Sequence, residues 1–447
     1  MKSVRIRSLV RSLFIPVFLL ACYTAAYATE APYQLQWVRQ IGTPATDASN
    51  SVAVDGLGNA YISGYTDGSL GGPNAGYEDA FLAKYASSGA LLWTRQIGTV
   101  SRDYSNAVAV DGLGNAYISG YTCGNLGGPN TGGWDAFLAK YDSSGSLLWT
   151  RQIGTTDLTE SNSVAVDGAG YVYISGWTDG NLGGTNADKM PDAFLAKYDA
   201  SGTVVWKRQT AMGHIAYGNS VAVDGLGNAY MTGGIQLTLS GDEYDAFLAK
   251  YNSSGSLLWT RQIGTTKFDN SFSAAVDALG NAYISGFTQG NLGGPNAGGD
   301  DAFLAKYNSS GSLLWTRQIG TPNNEISQSV ALDGSGNVYI SGFTYGSVGG
   351  PNAGYADAFL AKYDSSGSLL WTRQLGTRHY DWSYSVAVDG LGNAYISGQT
   401  DGSLGRPNAG GADAFLAKFV VPEPGTLALI VPAVMGFAGI AFRKMRR

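Results

Sequence analysis

The chain is predicted to be all-β: a seven-bladed β-propeller of four-stranded antiparallel blades, closed by its N-terminal strand and followed by a C-terminal transmembrane helix. Recurrence and phase carry the propeller. The segment Asp-Ala-Phe-Leu-Ala-Lys begins at Asp79, Asp135, Asp192, Asp245, Asp301, Asp357 and Asp413. In phase with it runs a Trp on an apolar strand: Trp37, Trp93, Trp149, Trp206, Trp259, Trp315 and Trp371. An Asp ending a Val-Ala-Val-Asp-like stretch keeps the same phase: Asp55, Asp111, Asp167, Asp224, Asp277, Asp333 and Asp389. The period is 56 residues, with one copy longer by one and one shorter by three. Periods of this size belong to propellers, solenoids or arrays.

One unit shows why the array is a propeller. Val108–Val110 reads as a short strand and Asp111–Asn115 as a tight turn. Ala116–Gly120 is a second strand, followed by a Gly-rich connection through Gly127-Gly128-Pro129-Asn130 to Asp135. Ala136–Tyr141 is a third strand, Asp142–Gly145 a turn, and Leu147–Ile153 a fourth strand. Two hairpins and one longer connection make a four-stranded antiparallel sheet. Repeated radially, such sheets protect their edges by closing into a ring. On the third strand Phe137, Ala139 and Tyr141 share one face, while Ala136, Leu138 and Lys140 share the other. Both faces are largely apolar, as a blade between two neighbours requires, and the recurring Trp is expected to wedge adjacent sheets.

Closure follows from the order of the pieces. The first recognisable piece is a fourth strand, Leu35–Ile41, and the last is a third strand, Ala414–Phe419. The N-terminal strand is therefore expected to complete a seventh blade built otherwise from Ser385 to Phe419. This places the propeller at residues 35–419.

The unit resembles the bacterial SBBP-type β-propeller repeat family. The resemblance rests on Val-Ala-Val-Asp-Gly-x-Gly-Asn-x-Tyr-Ile-Ser-Gly, as at residues 108–120, and Asp-Ala-Phe-Leu-Ala-Lys-Tyr-Asp, as at 135–142. It implies a propeller in an exported or surface protein and hands over no catalytic residue. The Asp142-x-x-Gly145-x-x-x-Trp149 turn is similar to the Trp-docking repeats of quinoprotein dehydrogenases, one residue shorter and without a cofactor motif, and is read as shared packing.

The ends read as address. Residues 1–28 have a basic stretch through Arg11, an apolar run Leu13–Ala21, and Ala26-Tyr27-Ala28 as a small-x-small cleavage pattern. A rival reading is a lipobox, Leu19-Leu20-Ala21-Cys22, with lipidation at Cys22; either exports the chain. At 421–447, Val421-Pro422-Glu423-Pro424 precedes an apolar run Leu427–Phe442 and Arg443-Lys444-Met445-Arg446-Arg447. That order resembles the PEP-CTERM sorting signal of Gram-negative bacteria, with Pro422, Glu423 and Pro424 as the motif. The resemblance implies processing by an exosortase, a membrane-embedded transpeptidase-like enzyme, in organisms that make extracellular polysaccharide. A plain C-terminal membrane anchor is the simpler alternative.

Composition narrows the partners. Between Thr29 and Phe419 there are 20 basic residues against 33 acidic, a net charge of −13. Such a surface repels phosphate backbones and argues against nucleic acid. Cys123 is the lone thiol of the propeller, so no disulfide forms within it.

Catalytic and metal chemistry find little footing. The Asp-Gly-x-Gly-Asn turns offer oxygen ligands, but Asp and Asn cap such turns and Gly supplies positive φ. The Asp79-to-Asp413 ring is uniform, whereas an acid–base pair needs one special place; hydrogen bonding to loop amides is its expected role. His214 and His379 sit in connections and suggest no triad. No cofactor, metal or catalytic residue is therefore expected.

Copy-to-copy variation points to a binding face. The connections between blades vary freely, as at Thr46–Ser49, Ser101–Tyr104, Asn323–Ile326 and Arg378–Trp382, and so does the long loop within each blade. Both emerge on one face of a radial blade. There His379, Tyr380, Trp382 and Tyr384 form the densest aromatic group, able either to stack on sugar rings or to pack beneath the loop. The expectation is an exported, non-enzymatic surface or matrix propeller that binds polysaccharide or other envelope components. The alternatives are a display scaffold without a ligand and, third, a hydrolase or lyase with its site at the ring mouth.

Overall fold

The computed structural model describes residues 33–186, 188–210, 212–236 and 243–420. The leader at 1–28 with Cys22, and the 421–447 segment with Pro422, Glu423, Pro424 and the expected transmembrane helix, lie outside the described residues. Among the described residues no helix is long and apolar enough to cross a membrane.

Twenty-eight strands form seven four-stranded antiparallel sheets. Blade one runs Asp47–Val54, Ala60–Thr66, Asp79–Tyr85, Leu91–Ile97, and blades two to six repeat that order. The first strands of the seven blades are Asp47–Val54, Asp103–Val110, Thr159–Val166, Ile215–Val223, Asp269–Val276, Glu325–Leu332 and Asp381–Val388. Each contacts the first strand of both neighbours, the seventh meeting the first, so together they line the central channel.

Blade seven is closed as the order of pieces requires. Its sheet runs Gln34–Ile41, Asp413–Val420, Ala394–Thr400, Asp381–Val388, with the N-terminal strand outermost.

One boundary is corrected. The first strand of blade two begins at Asp103, not Val108, and that of blade seven at Asp381, not Ser385. Thr46–Ser49, Ser101–Tyr104, Asn323–Ile326 and Arg378–Trp382 are thus only partly connection. Their side chains change from blade to blade, but the backbone is paired: Asp103 lies opposite Thr122, and Tyr104 opposite Tyr121. Variation here belongs to channel-lining residues rather than to loops alone.

The blade faces pack as the alternation demands. Phe137, Ala139 and Tyr141 join Tyr61, Ala80 and Leu82 of blade one, whereas Ala136 and Leu138 join Val172, Ile174 and Phe194 of blade three. The recurring Trp is the expected wedge. Trp93 meets Tyr61 edge-on at 6.0 Å and covers the next blade's turn, where a Cβ on Gly145 would lie 2.9 Å from the indole. Arg95 lies over that indole at 5.3 Å and donates from Nε to Gly145 O at 2.7 Å. The equivalent arginines Arg39, Arg151, Arg208, Arg261 and Arg317 tie their outer strands to the following blade in the same way.

The two recurring acid positions cap turns. Asp55 Oδ1 accepts from the backbone N–H of Leu57 and Asn59, at 3.0 and 2.9 Å. Asp79 Oδ2 accepts from Ala75 N and Gln96 Nε2, each at 2.8 Å. Gln96 also accepts from Leu70 N and donates to Gly68 O, so one side chain binds the long loop to the outer strand.

Candidate ligand-binding mouth and channel

Every first strand carries one β-bulge at the same place. Pairing skips one residue, so that Ser49 lies opposite Gly64 and Ser51 opposite Ser63, leaving Asn50 unpaired. The skipped residues are Asn50, Asn106, Asn162, Asn219, Phe272, Gln328 and Tyr384. A bulge re-aims its extra side chain, and here all seven sit on the channel-lining strand. The facing glycine makes the bulge possible: a Cβ on Gly120 would fall 1.8 Å from Tyr104 O. The Gly of each Ile-Ser-Gly stretch is thus a demand of the channel lining.

Six of these residues, Asn50, Asn162, Asn219, Phe272, Gln328 and Tyr384, line one cavity of about 290 Å³. The asparagines are held by the neighbouring blade. Asn50 Nδ2 donates to Ser105 O at 3.0 Å, Asn162 Nδ2 to Gly218 O at 3.4 Å, and Asn219 Nδ2 to Ser271 O at 2.9 Å. Asn106 is turned to Ser161 O and to Glu160 Oε1, at 3.1 and 3.0 Å.

Two residues ahead of each bulge, on the same strand face, stand Ala48, Tyr104, Glu160, Tyr217, Asn270, Ile326 and Trp382. This ring lies at the end of the channel from which the variable loops emerge. Aromatic side chains gather around it. Tyr65, Tyr104, Tyr121, Trp134, Trp177 and Tyr217 form an unbroken arc over blades one to four, with successive ring centroids 4.5, 5.0, 4.8, 6.3 and 5.7 Å apart.

The expected aromatic group falls into place only in part. Tyr380 stacks on Tyr355 at 5.0 Å and approaches Trp382 at 5.2 Å, and Trp382 lies 6.4 Å from Tyr384. Trp382 and Tyr384 belong to the first strand of blade seven rather than to the connection, so they look into the mouth and channel. His379 stays exposed on the loop, apart from the ring stack. The arc over blades one to four went unnoticed in the sequence. Its signal was there: the residue before the closing Thr of the second strand is Tyr65, Tyr121, Trp177, Phe287 or Phe343 in five copies, within an otherwise near-constant strand.

Acidic groups sit among the aromatics. Burial pushes the Glu160 carboxyl up, with hydrogen bonding from Asn106 and Trp177 opposing it. Burial, then the neighbouring Glu78 carboxylate, pushes the Tyr104 phenol up. Burial does the same for Tyr384. Phenols so shifted stay protonated and act as neutral hydrogen-bond donors. A further cleft of about 530 Å³ opens on the loop face of blade six, lined by residues including Asn323, Tyr345 and Asn352. Among the described residues no three His, Cys, Asp or Glu side chains are grouped to hold a metal ion.

A family model described as a beta-propeller repeat, SBBP, matches residues 36–71, 92–127, 148–183, 205–234, 314–349 and 370–405. The chain therefore carries SBBP beta-propeller repeats, each match running from an outer strand into the next blade. Two curated proteins are similar. The Uncharacterized WD repeat-containing protein L264 of Acanthamoeba polyphaga mimivirus is 24% identical over 438 residues, covering 72% of this chain. Regulatory protein FlaEY of Caulobacter vibrioides is 25% identical over 336 residues, covering 70%. The chain spans 31% of the length of each of these relatives. Among solved structures, the WD40 beta propeller domain of Doa1 is similar with a TM-score of 0.52 at 12% identity, covering 88% of this chain and 98% of that one. At that identity the likeness speaks for the fold alone.

Proposed function

We propose that this chain is an exported, non-enzymatic binding module that holds polysaccharide across its loop face and channel mouth. One observation carries the reading: aromatic rings converge on the mouth at positions that vary, within a blade frame that hardly varies at all. Aromatic faces pack on the C–H faces of sugars, while neighbouring polar tips hydrogen-bond the hydroxyls. The exposed or half-exposed rings of Tyr355, Tyr380 and Trp382 give such a platform on blades six and seven. The negative charge of the propeller favours a neutral or cation-bridged polymer over a nucleic acid.

The sorting-signal resemblance at Pro422, Glu423 and Pro424 adds the setting. On this reading the protein is handed to an exosortase-type enzyme, associates with the membrane through its C-terminal apolar run, and works at the cell surface or in the matrix of a Gram-negative bacterium. A display scaffold without a specific ligand is the second reading, favoured by the near-identity of the outer strands.

Screening the full chain against glycan arrays and bacterial polysaccharides, beside Trp382→Ala, tests the reading. Binding by the native chain, weakened tenfold or more in the variant, is the expected result. A native chain that retains no polysaccharide would transfer the weight to the scaffold.

A further inference from the structure

We propose that the bulge cavity in the channel is a specific subsite for a single neutral sugar residue, the terminal unit of a glycan that lies across the mouth. This deepens the polysaccharide reading and rests on it. The lining of the cavity carries the inference. It holds three asparagines, a glutamine, a phenylalanine and a tyrosine, with no ionisable carboxylate or amine among them. A bare cation would meet no counter-charge there, and hard divalent ions take carboxylate-rich shells. A ligand anion would meet no cation.

The hydrogen-bonding inventory is directional. Asn50, Asn162 and Asn219 spend an Nδ2 proton on a carbonyl of the adjacent blade. Their Oδ1 atoms accept nothing from the described residues and remain available to the cavity. Asn219 also gives its second proton to Asn270 Oδ1 at 3.3 Å, so only its acceptor is left. The Gln328 side chain makes no hydrogen bond with the described residues, and the Tyr384 hydroxyl is likewise uncommitted. The amide oxygens of Asn50, Asn162 and Asn219 are thus held in place by backbone bonds before any ligand arrives, and Gln328 and Tyr384 add groups that both donate and accept. Hydroxyl groups of a sugar supply the donors such a set requires. Phe272 and Tyr384 give the apolar walls that a sugar's C–H face needs.

Size and position agree. About 290 Å³ is just below the ~300–1,000 Å³ range of ligand pockets, with room for one ring rather than an oligosaccharide. The cavity lies on the bulges, one step below the ring that carries Tyr104, Tyr217 and Trp382, so a chain on the mouth can lower only an end into it.

The test uses the full chain, Gln328→Leu and Tyr384→Phe. Neither side chain has a hydrogen-bond partner among the described residues, so neither substitution removes a fold contact of that kind. Probes are the methyl glycosides of common hexoses and N-acetylhexosamines, followed by saturation-transfer NMR, together with any polysaccharide retained in the array. The expected result is that one class of methyl glycoside binds and competes with the polysaccharide. Both should weaken tenfold or more in each variant at unchanged melting temperature. Polysaccharide binding that is lost in Trp382→Ala but intact in Gln328→Leu and Tyr384→Phe overturns the subsite and leaves the mouth reading standing. A glycoside that binds natively and fails in the variants, with no polysaccharide retained, sinks the mouth reading and overturns the cavity as the subsite for the end of a longer glycan. No binding of either probe overturns both.

Discussion

Gly120 illustrates how a single residue can be required by a neighbour's backbone. A methyl at this position would fall 1.8 Å from Tyr104 O, inside the bulge that aims Asn106. Overpacking of this kind costs roughly 1–3 kcal/mol. Gly120→Ala should therefore lower stability by that amount in denaturant titration, whereas Gly112→Ala, with open space around its Cβ, should leave it nearly unchanged. Equal effects at the two sites would refute the bulge argument. A second residue-scale feature is the buried acid that opens most first strands: Asp47, Asp103, Asp269, Glu325 and Asp381 are all 0% exposed. Burial raises each above its ordinary value, hydrogen bonds from flanking threonines oppose it, and the acid of the preceding blade adds a further upward push. The folded state then holds protons that the unfolded chain releases. Stability from these groups is full below the unfolded carboxylate range and is lost as pH rises through the raised folded values. Asp111 and Asp224 run the other way: their carboxyls are lowered although burial opposes it, and the stability they supply disappears in acid. The melting temperature should climb as pH falls from neutral toward the ordinary carboxylate range and drop again below it. A melting temperature that only falls on mild acidification would contradict this. The turn-capping role of Asp55 and Asp79 was legible from residue type alone. The buried pairing of first-strand acids was not, because it depends on which blades meet.

At the scale of the strand, six junctions between blades share one hydrogen bond and the seventh lacks it. The serine after each bulge accepts from a backbone N–H of the next first strand: Ser51 from Val108, Ser163 from Val221, Ser220 from Ala274, Ser273 from Val330, Ser329 from Val386 and Ser385 from Val52, at 3.1–3.2 Å. Blade two carries Ala107 at this position, 8% exposed, and can offer Val164 nothing. Ala107→Ser should install the missing bond and stabilise the protein by about 0.5–1.5 kcal/mol. A neutral or negative change in chemical denaturation would show that the junction has relaxed without it. The same strand explains what the sequence concealed. The hairpins, the third strand and the outer strand repeat nearly residue for residue, so their boundaries could be drawn from one copy. The first strand changes its leading residues from Thr159-Glu160 to Asp381-Trp382, which looks like loop variation until backbone pairing is known. Side-chain alternation there has a different cause: one face packs into the blade, and the other is free to vary along the channel. The candidate site was legible at Trp382 and Tyr384 but assigned to the wrong element, and the bulge that unites Asn50 with Tyr384 leaves no mark in a single copy.

For the whole molecule, closure is the property that no single blade possesses. Blade seven takes its outer strand from the other end of the chain, and Gln40 is the residue that fastens it. Its Nε2 donates to Asp413 Oδ2 at 2.8 Å and to Gly402 O at 3.0 Å, while Oε1 accepts from Leu404 N and Gly405 N at 2.9 and 3.0 Å. Gln96 makes the equivalent bonds in blade one, to Asp79, Gly68, Leu70 and Gly71. The local chemistry is the same, but the connectivity is not. Gln96 sits on a strand already joined to its partner by a hairpin, so its loss frees a loop and no more. Gln40 sits on a strand that no hairpin joins to blade seven; it is held there by these bonds, its sheet pairing and packing such as Trp37 on Tyr395, more than 360 residues away along the chain. Losing five hydrogen bonds, the fifth a long one from Arg406 N, and leaving Asp413 short of a partner should cost Gln40→Ala about 3 kcal/mol locally, and the opened ring then exposes the faces of two blades. Gln40→Ala should accordingly destabilise more than Gln96→Ala in the same buffer, and deletion of residues 33–42 should destabilise the entire ring rather than one blade. Hydrogen exchange separates the cases: Gln96→Ala should loosen protection in blade one only, while opening at Gln40 should loosen blades one and seven together. Identical melting temperatures for the two glutamine variants, or an unchanged one for the deletion, would mean that the ring holds without its closing strand.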